Sequence, residues 1–244
     1  MNRYVVFASA SIILVALFYF VNFYVKLGFR VSSDVSDWAA LGDYMGGLLG
    51  PLLNFITIFI LVKSLVFQKN SNEELKAEIE DNKKIGRLRS FENLFFNMLE
   101  AQNNIFDDLT LDVEVGGQLT VYKNADAVAV LEENIEDLRD AVISIEEIGK
   151  YLEDIDSADK LFGMLRSFYI TVRIISEKLS NKEGFDFQDR ESHFLTLINF
   201  TNFSHLRLVM LMVQFLECYP SSYLKEHEEF EGVLKKVGLS MKLY

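Results

Sequence analysis

Two long stretches without a charged residue near the beginning of the chain limit what it can fold into. The first extends from Tyr4 to Val25 (22 residues) and the second from Tyr44 to Val62 (19 residues). At about 1.5 Å per residue, a helix of either length crosses roughly 30 Å of hydrocarbon. A cleaved signal peptide is the alternative for the first stretch, but its small residues would follow the apolar run, whereas Ala8, Ser9 and Ala10 stand near its start. The sequence therefore predicts a membrane anchor.

An alternative interpretation of the second stretch is a buried core helix of a soluble domain. Its length and its position shortly after another apolar stretch favour a second membrane span. Apolar residues continue beyond Lys63, whose long side chain reaches the headgroups, so this span covers about 44–66. We therefore expect a two-helix transmembrane hairpin over residues 1–67, with spans at about 4–25 and 44–66 joined by a loop over 26–43.

The positions of the basic residues predict how this hairpin is oriented. The connecting loop holds two basic and three acidic residues, whereas five lysines lie at and beyond the end of the second span: Lys63, Lys69, Lys76, Lys83 and Lys84. Basic residues near spans favour the cytoplasmic side. Trp38 and Tyr44 then fall at the opposite interface, where amphipathic rings are favoured. We expect a two-pass membrane protein with both termini cytoplasmic.

Small residues recur at every fourth position at the second span. Gly42, Gly46, Gly50 and Asn54 lie on one stripe of this helix, where another backbone can approach closely. An amide inside the bilayer is costly unless it meets a partner or water, and Pro51 weakens the helix nearby. The stripe has two interpretations. The more common one in membranes is packing against the first span of the same chain, and the other is oligomerisation with Asn54 lining a conducting path.

The rest of the chain has a different composition. Residues 1–66 carry four basic and three acidic residues, whereas 67–244 carry 20 basic and 33 acidic ones, within a chain of net charge −12. Residues 68–90 are strongly polar and predict a solvated helix that leaves the membrane. Four basic residues near its end are candidates for contacts with lipid headgroups or nucleic acid, although a solvated face is favoured. They are Lys83, Lys84, Arg87 and Arg89.

Apolar residues at spacings of three and four predict a mainly α-helical cytoplasmic domain over 68–244. Its first buried helix face contains Leu88, Phe91, Phe95, Met98, Gln102 and Ile105. Further helices are expected over 125–153, from a cap at Ser157 to Leu179, over 189–218 as the central core helix, and over 222–237 after Pro220. Alternating apolar residues on both sides of Gly116 and Gly117 predict one β-hairpin between the first two helices.

Motifs of the common enzyme classes are missing from this sequence. It contains no Walker phosphate loop, Rossmann glycine pattern, HExxH helix, GxSxG elbow or CxxC pair. On the helix expected at 189–218, His193 and His205 would lie about 18 Å apart, too far to share a metal ion. His227 stands among acidic residues, and no base that would activate the thiol of Cys218 is evident. We therefore expect no enzymatic activity, no cofactor and no bound metal.

Four stretches of the sequence resemble a known family. The first stretch resembles the N-terminal part of the bacterial family of phage abortive infection proteins; it is DWAALGDYMGGLLGPLLNFITIFILVKSLVFQKNSNEELKAEI at 37–79. Proteins of this family have two spans and then a charged helix. An aromatic-rich stretch of the family resembles SFENLFFNMLEAQNNI at 90–105. Two later blocks resemble KLFGMLRSFYITVRII at 160–175 and HFLTLINFTNFSHLRLVMLMVQF at 193–215. Residues such as Phe200 replace polar and basic residues of the family there.

The two-transmembrane effectors encoded beside retron reverse transcriptases look like the same kind of molecule. The resemblance implies an antiviral effector, a toxin of the bacterial inner membrane that stays silent until phage infection and then disrupts that membrane. It implies membrane lipids and further copies of the chain as partners. A reverse transcriptase with its RNA–DNA product, or another protein of a defence system, is the expected silencing partner, and no small-molecule substrate is expected.

The mechanism that we expect places the membrane step at the stripe 42–54 and transmits a rearrangement of the cytoplasmic domain through the helix at 67–105. Two other classes of function stay open. A non-toxic membrane-anchored sensor or adaptor would also combine an acidic helical domain with a hairpin. A membrane-bound enzyme with a dispersed site is the third, and the missing motifs disfavour it.

Overall fold

Helices make up 83% of the protein, and one two-stranded antiparallel sheet interrupts them in the described residues. The computed structural model describes residues 2–26, 33–115, 118–156 and 158–242. Contacts between residues divide the chain into two compact units, Met1–Asp81 and Asn82–Tyr244. The polar residues 68–81 therefore group with the first unit, although their composition resembles that of the second.

The first unit opens with a helix that changes its winding near its end. Helix α1 spans Asn2–Tyr19 and continues directly as a π-helical turn, Phe20–Lys26. In this turn the side-chain amide of Asn22 donates a hydrogen bond to the carbonyl of Phe18 at 2.9 Å. Such local bonds compete with the helix ladder. The described apolar part of this element, Val6–Asn22, is shorter than a typical span.

Helix α2 extends over Val35–Asp107, 73 residues, and has residues in both units. Among the described residues it is the one helix long and apolar enough to cross a membrane. Its most apolar stretch has a mean hydropathy of 2.1 and is not buried. The helix joins the segments predicted separately at 44–66, 68–90 and 88–105, because no proline follows Pro51 within it.

The loop before α2 is shorter than predicted. The sequence predicts a loop over 26–43, but α2 begins at Val35, and residues 27–32 lie outside the described residues. The carboxylate of Asp34 accepts a hydrogen bond from the backbone N–H of Ser36 at 3.0 Å, which lowers the pKa of Asp34 below its usual value. This bond satisfies one of the first amides of the helix, so the helix begins eight residues before the loop was expected to end.

The second unit contains the predicted β-hairpin. Strand β1 spans Thr110–Val115 and strand β2 spans Gln118–Lys123. The strands pair antiparallel, with Leu111 opposite Tyr122. The turn expected at Gly116 and Gly117 lies outside the described residues. The alternation of apolar residues therefore predicts both strands correctly.

The two faces of the hairpin differ in exposure. Leu111 and Val113 of β1 are buried in the core. Leu119 and Val121 of β2 are 71% and 59% exposed. One face of the sheet thus packs on the helices, and the other presents apolar side chains to the surroundings.

Seven α-helices follow the hairpin in the described residues. They are α3 (Asn124–Asp140), α4 (Ile145–Ile155), α5 (Lys160–Lys178), α6 (Phe187–Phe200), α7 (Phe203–Phe215), α8 (Tyr219–Glu226) and α9 (Glu228–Lys236). Helix α7 is the central one, because nine of its 13 residues are buried and it packs against α3, α4, α5 and α8.

The single helix predicted over 125–153 is wrong, because α3 and α4 are separated at 141–144. The Ser144 hydroxyl accepts a hydrogen bond from the backbone N–H of Glu147, whose carboxylate accepts one from the N–H of Ser144. This capping box starts a new helix. Val142 has a φ of 60°, a left-handed conformation that does not continue a right-handed helix.

The single helices predicted over 189–218 and 222–237 are also wrong. The first is divided into α6 and α7, because the side chain of Asn202 accepts a hydrogen bond from the N–H of Ser204 at 2.9 Å and caps a new helix. The second is replaced by α8 and α9. Pro220 lies in the first turn of α8, where a backbone N–H is not needed, so it begins a helix instead of only ending one.

Helix α5 begins close to its predicted start, with a different cap. Ser157, the predicted cap, lies outside the described residues. The carboxylate of Asp156 accepts hydrogen bonds from the backbone N–H groups of Leu161 at 2.9 Å and Phe162 at 2.8 Å. The apolar face that the sequence predicts for this helix is buried, at Leu161, Leu165, Phe168, Val172, Ile175 and Leu179.

Candidate functional site

In the first unit, the less exposed residues form one stripe on each helix. They are Ala8, Ser11, Val15, Tyr19 and Asn22 near α1, and Leu41, Met45, Leu49, Gly50, Leu53 and Ile56 on α2. The rings of Tyr19 and Tyr44 lie 5.6 Å apart between centroids. Phe7 lines one groove together with Phe55 and Phe59. Residues three and four apart share a helix face, so these stripes mark the faces through which the two helices meet.

The glycine stripe lies beside this contact, and of its three glycines Gly50 is partly buried while Gly42 and Gly46 are exposed. A Cβ built on Gly42, Gly46 or Gly50 would meet no atom of the described residues within 4 Å. Asn54, at the next step of the stripe, is exposed. The glycines follow the contact residues Leu41, Met45 and Leu49 by one position, which turns them about 100° around the helix. The packing partner expected on the first span is thus not found in the described part of the chain.

The residues predicted to begin the buried face of α2 lie in the second unit. Phe91 and Phe95 are buried, and their rings lie 5.0 and 5.7 Å from the imidazole of His193 between centroids. Leu88 and Met98 are partly buried. This part of α2 is therefore held by α6, which carries His193.

Further along α2, the buried face differs from the one that the sequence predicts. Leu99 and Phe106 are buried, whereas Ile105 is 41% exposed, so the prediction for Ile105 is wrong. The buried positions 91, 95, 99, 102 and 106 follow the period of 3.6 residues. Spacings of three and four fit several faces over short distances, and only packing selects among them.

Part of the basic cluster is engaged within the second unit. The guanidinium of Arg87 lies 3.5 Å from the carboxylate of Glu183. The ammonium of Lys84 lies 5.2 Å from the centre of the Phe185 ring. Lys83 and Arg89 are exposed. The turn after α5 therefore occupies two of the four side chains considered for headgroups or nucleic acid.

Ser176 and His227 form a pair that resembles the nucleophile and base of hydrolases. Nε2 of His227 lies 2.7 Å from Oγ of Ser176. However, Nδ1 of His227 accepts the backbone N–H of Phe230 at 3.1 Å, so the proton of the neutral ring is on Nε2 and is donated to Ser176. The Ser176 hydroxyl in turn donates to the carbonyl of Val172. This histidine caps α9 and does not act as a base toward the serine.

His205 is a second buried histidine without a chemical role in this geometry. Its side chain is completely buried and stacks on Phe106 with a centroid distance of 5.2 Å. Neither ring nitrogen has a hydrogen-bond partner among the described residues, and burial lowers the pKa of His205 to about 4. Nearby, Oε1 of Gln102 is also buried without a partner, although its Nε2 donates to Thr171 at 2.9 Å. His205 is thus a neutral core residue.

The lone cysteine and the carboxylates form no metal or catalytic centre in the described residues. Sγ of Cys218 lies 3.3 Å from the hydroxyl of Ser221, which is not a base that would activate it. No group of three His, Cys, Asp or Glu side chains in that part of the chain converges on a point that a metal ion would occupy.

A groove of about 640 Å³ lies beside β1, between the hairpin and helices α3 and α4. Apolar side chains such as Leu138 and Ile155 form part of its lining. Polar and charged lining residues are Thr110, Asp112, Asn134, Asp137, Tyr151, Asp154, Asp156 and Lys160. The side-chain amide of Asn134 donates to the phenol oxygen of Tyr151 at 2.9 Å. A volume of this size accommodates a ligand or several side chains of a partner.

The residues around the groove are mostly acidic. From Asn124 to Asp159 the sequence has twelve acidic and two basic residues. This concentration is visible in the sequence, but the groove is not, because β1 supplies one of its walls and only the fold brings β1 beside α4. Comparison with models of protein families, with curated proteins and with solved structures found no match to the chain.

Proposed function

We propose that this protein is an antiviral effector of the abortive infection type, which disrupts the bacterial inner membrane when phage infection triggers it. The observation that carries the proposal is the exposed apolar stretch of α2, with a mean hydropathy of 2.1 and no buried residue. Such a surface is unfavourable in water and favourable in lipid. The resemblance of residues 37–79 to the family of phage abortive infection proteins supplies the biological role.

The proposed membrane part is a two-pass hairpin of α1 and the first part of α2, with both termini in the cytoplasm. The contact between Tyr19 and Tyr44 and the groove shared by Phe7 and Phe55 support this pairing, because each joins a residue of α1 with a residue of α2. The lysines after the second span support the orientation.

The proposed membrane step is association of several copies through the open stripe of Gly42, Gly46 and Gly50. Helices in lipid associate through small residues that let backbones approach. The absence of any described atom within 4 Å of a Cβ at these positions leaves room for a second helix. Asn54 would then meet another polar group or water, which reduces the free-energy cost of its amide in lipid.

The proposed trigger acts on the second unit. A reverse transcriptase with its RNA–DNA product, or another defence-system protein, holds that unit silent, and its release is transmitted along α2. Phe91 and Phe95 support this route, because they bury α2 in the core of the second unit and belong to the same helix as the glycine stripe. The alternative is a non-toxic membrane-anchored sensor or adaptor, which the acidic groove beside β1 also suits.

Measurement of membrane potential and growth after induced expression tests the proposal, with and without infection by a panel of phages. Gly46→Leu should abolish depolarisation while the protein still inserts, because the new side chain fills the stripe. Gly47→Leu is the matched control: it adds the same side chain on the same helix, also in open space, but on a neighbouring face. Equal killing of cells by both variants would exclude a role of the glycine stripe in the membrane step. No depolarisation by the unaltered chain under any condition would favour the adaptor.

A further inference from the structure

We infer that the groove beside β1 is a docking site for a positively charged segment of a partner protein. The first observation is the distribution of charge. The chain has a net charge of −12, and the residues from Asn124 to Asp159 contain twelve acidic and two basic side chains. Charge of one sign concentrated along a concave surface raises the local concentration of an oppositely charged partner and speeds its association.

The second observation is that the groove's own cation does not neutralise it. Among the described lining residues, Lys160 is the one cation, and its ammonium donates to the carbonyl of Thr110 at 3.2 Å and to the hydroxyl of the same residue. The carboxylate of Asp156 is occupied by two backbone N–H groups at the start of α5. Asp112, Asp137 and Asp154 also line the groove, and all three are exposed and form no ion pair with a described residue. Three carboxylates in the groove are thus available to a cation from outside.

The third observation concerns the apolar part of the lining. Leu138 and Ile155 line the groove beside these carboxylates, and Leu119 lines it while 71% exposed. Arginine and lysine side chains combine an apolar stem with a charged head, so they satisfy both parts of such a surface. Arginine adds paired hydrogen bonds to a carboxylate.

The same observations disfavour other occupants. A nucleic acid would bring phosphates to a surface that already repels them. A metal ion is disfavoured because no three ligating side chains of the described residues converge there. A segment of alternating basic and apolar residues matches both the carboxylates and the apolar lining. The inference concerns binding alone and does not depend on the proposed action at the membrane.

A peptide of eight residues that alternates arginine and leucine, labelled with a fluorophore, provides the test with the full chain in detergent. We expect fluorescence anisotropy to show binding at 50 mM salt that weakens at 300 mM, and no binding of an octapeptide that alternates glutamate and leucine. Asp137→Asn with Asp154→Asn should weaken binding roughly tenfold or more, because the peptide loses its charge-assisted hydrogen bonds to two carboxylates of the groove. These substitutions preserve side-chain shape, and circular dichroism confirms that the variant is folded.

Asp126→Asn with Glu133→Gln is the matched control. It removes the same charge from exposed positions of α3 that do not line the groove. This control should weaken binding about twofold or less, because it changes only the long-range electrostatic attraction between the protein and the peptide. Equal weakening by both pairs, or absence of binding at low salt, would each overturn the inference.

Discussion

His205 illustrates how a single side chain can set a property of the whole second unit. Its ring is completely buried against Phe106, and neither nitrogen has a hydrogen-bond partner in the part of the chain that the structure describes. A buried N–H without a partner costs about 1–3 kcal/mol, and a buried charge without a partner costs more. The ring therefore stays neutral, and burial lowers the pKa of His205 to about 4.

We predict that His205→Leu removes much of the acid sensitivity of folding. An unfolded histidine has a pKa near 6.5, so as pH falls the unfolded state binds the proton first. The contribution of His205 to stability is complete above pH 6.5 and is lost progressively between pH 6.5 and 4. This loss amounts to about 3 kcal/mol.

Thermal unfolding of the full chain in detergent at pH 7.5 and pH 5 measures this effect. His193→Leu is the control, because it removes a half-buried histidine and leaves His205 in place. The Tm of His193→Leu should fall between pH 7.5 and pH 5 as much as that of the unaltered protein, whereas the Tm of His205→Leu should fall less. The same decrease in Tm for all three proteins would show that other groups cause the acid sensitivity.

At this scale the sequence predicts burial better than chemistry. Spacing alone identifies Phe91 and Phe95 as buried. It places His205 on an apolar helix but does not show that its nitrogens lack partners, since partners come from other helices. The Ser176–His227 pair was not predictable either, because the two residues are 51 positions apart and meet only when α8, which ends before His227, packs on α5.

At the scale of helices, the sequence predicts their existence more accurately than their ends. The pattern Ser144-x-x-Glu147 is a capping box that the sequence contains, and the structure uses it to begin α4. The apolar spacing continues across this break, so periodicity alone predicts one helix where there are two. The break between α6 and α7 has a similar origin, because Asn202 caps α7 without any proline or glycine nearby.

Gly149 shows why the position of α4 is narrowly defined. A Cβ built there would lie 2.8 Å from the carbonyl oxygen of Phe215, a backbone atom that has no rotamer to change. Gly163 of α5 differs, because a Cβ at that position would meet no described atom within 4 Å. The same substitution should therefore have opposite effects at the two positions.

We predict that Gly149→Ala lowers the free energy of unfolding by about 2 kcal/mol, since α4 must move away from α7 to remove the clash. Gly163→Ala should raise it by up to about 1 kcal/mol, because alanine favours the helix and restricts the unfolded chain. Thermal unfolding of both variants and of the unaltered protein measures these changes in stability. A loss of stability in Gly163→Ala, or none in Gly149→Ala, would contradict this description of the helix contacts.

At the scale of the whole molecule, the distribution of charge separates two environments along one chain. Residues 1–66 have nearly balanced charge around two uncharged stretches, whereas the rest carries most of the acidic residues. Helix α2 belongs to both units, so its early part is exposed and apolar while its late part is buried among helices. If both spans cross the membrane as proposed, the residues between the two spans and those after residue 66 lie on opposite sides of it.

Labelling of single cysteines in intact cells tests this topology. In a Cys218→Ser background, which removes the one native thiol, Asp37→Cys should react with a membrane-impermeant maleimide from outside the inner membrane. Asn72→Cys, an exposed position of α2, should react only after that membrane is permeabilised. The reason is that Lys63, Lys69 and Lys76 favour the cytoplasmic side, whereas residues 26–43 carry three acidic and two basic residues. Labelling of Asn72→Cys but not of Asp37→Cys in intact cells would show the opposite orientation. Labelling of both positions in intact cells would show that residues 44–66 do not span the membrane.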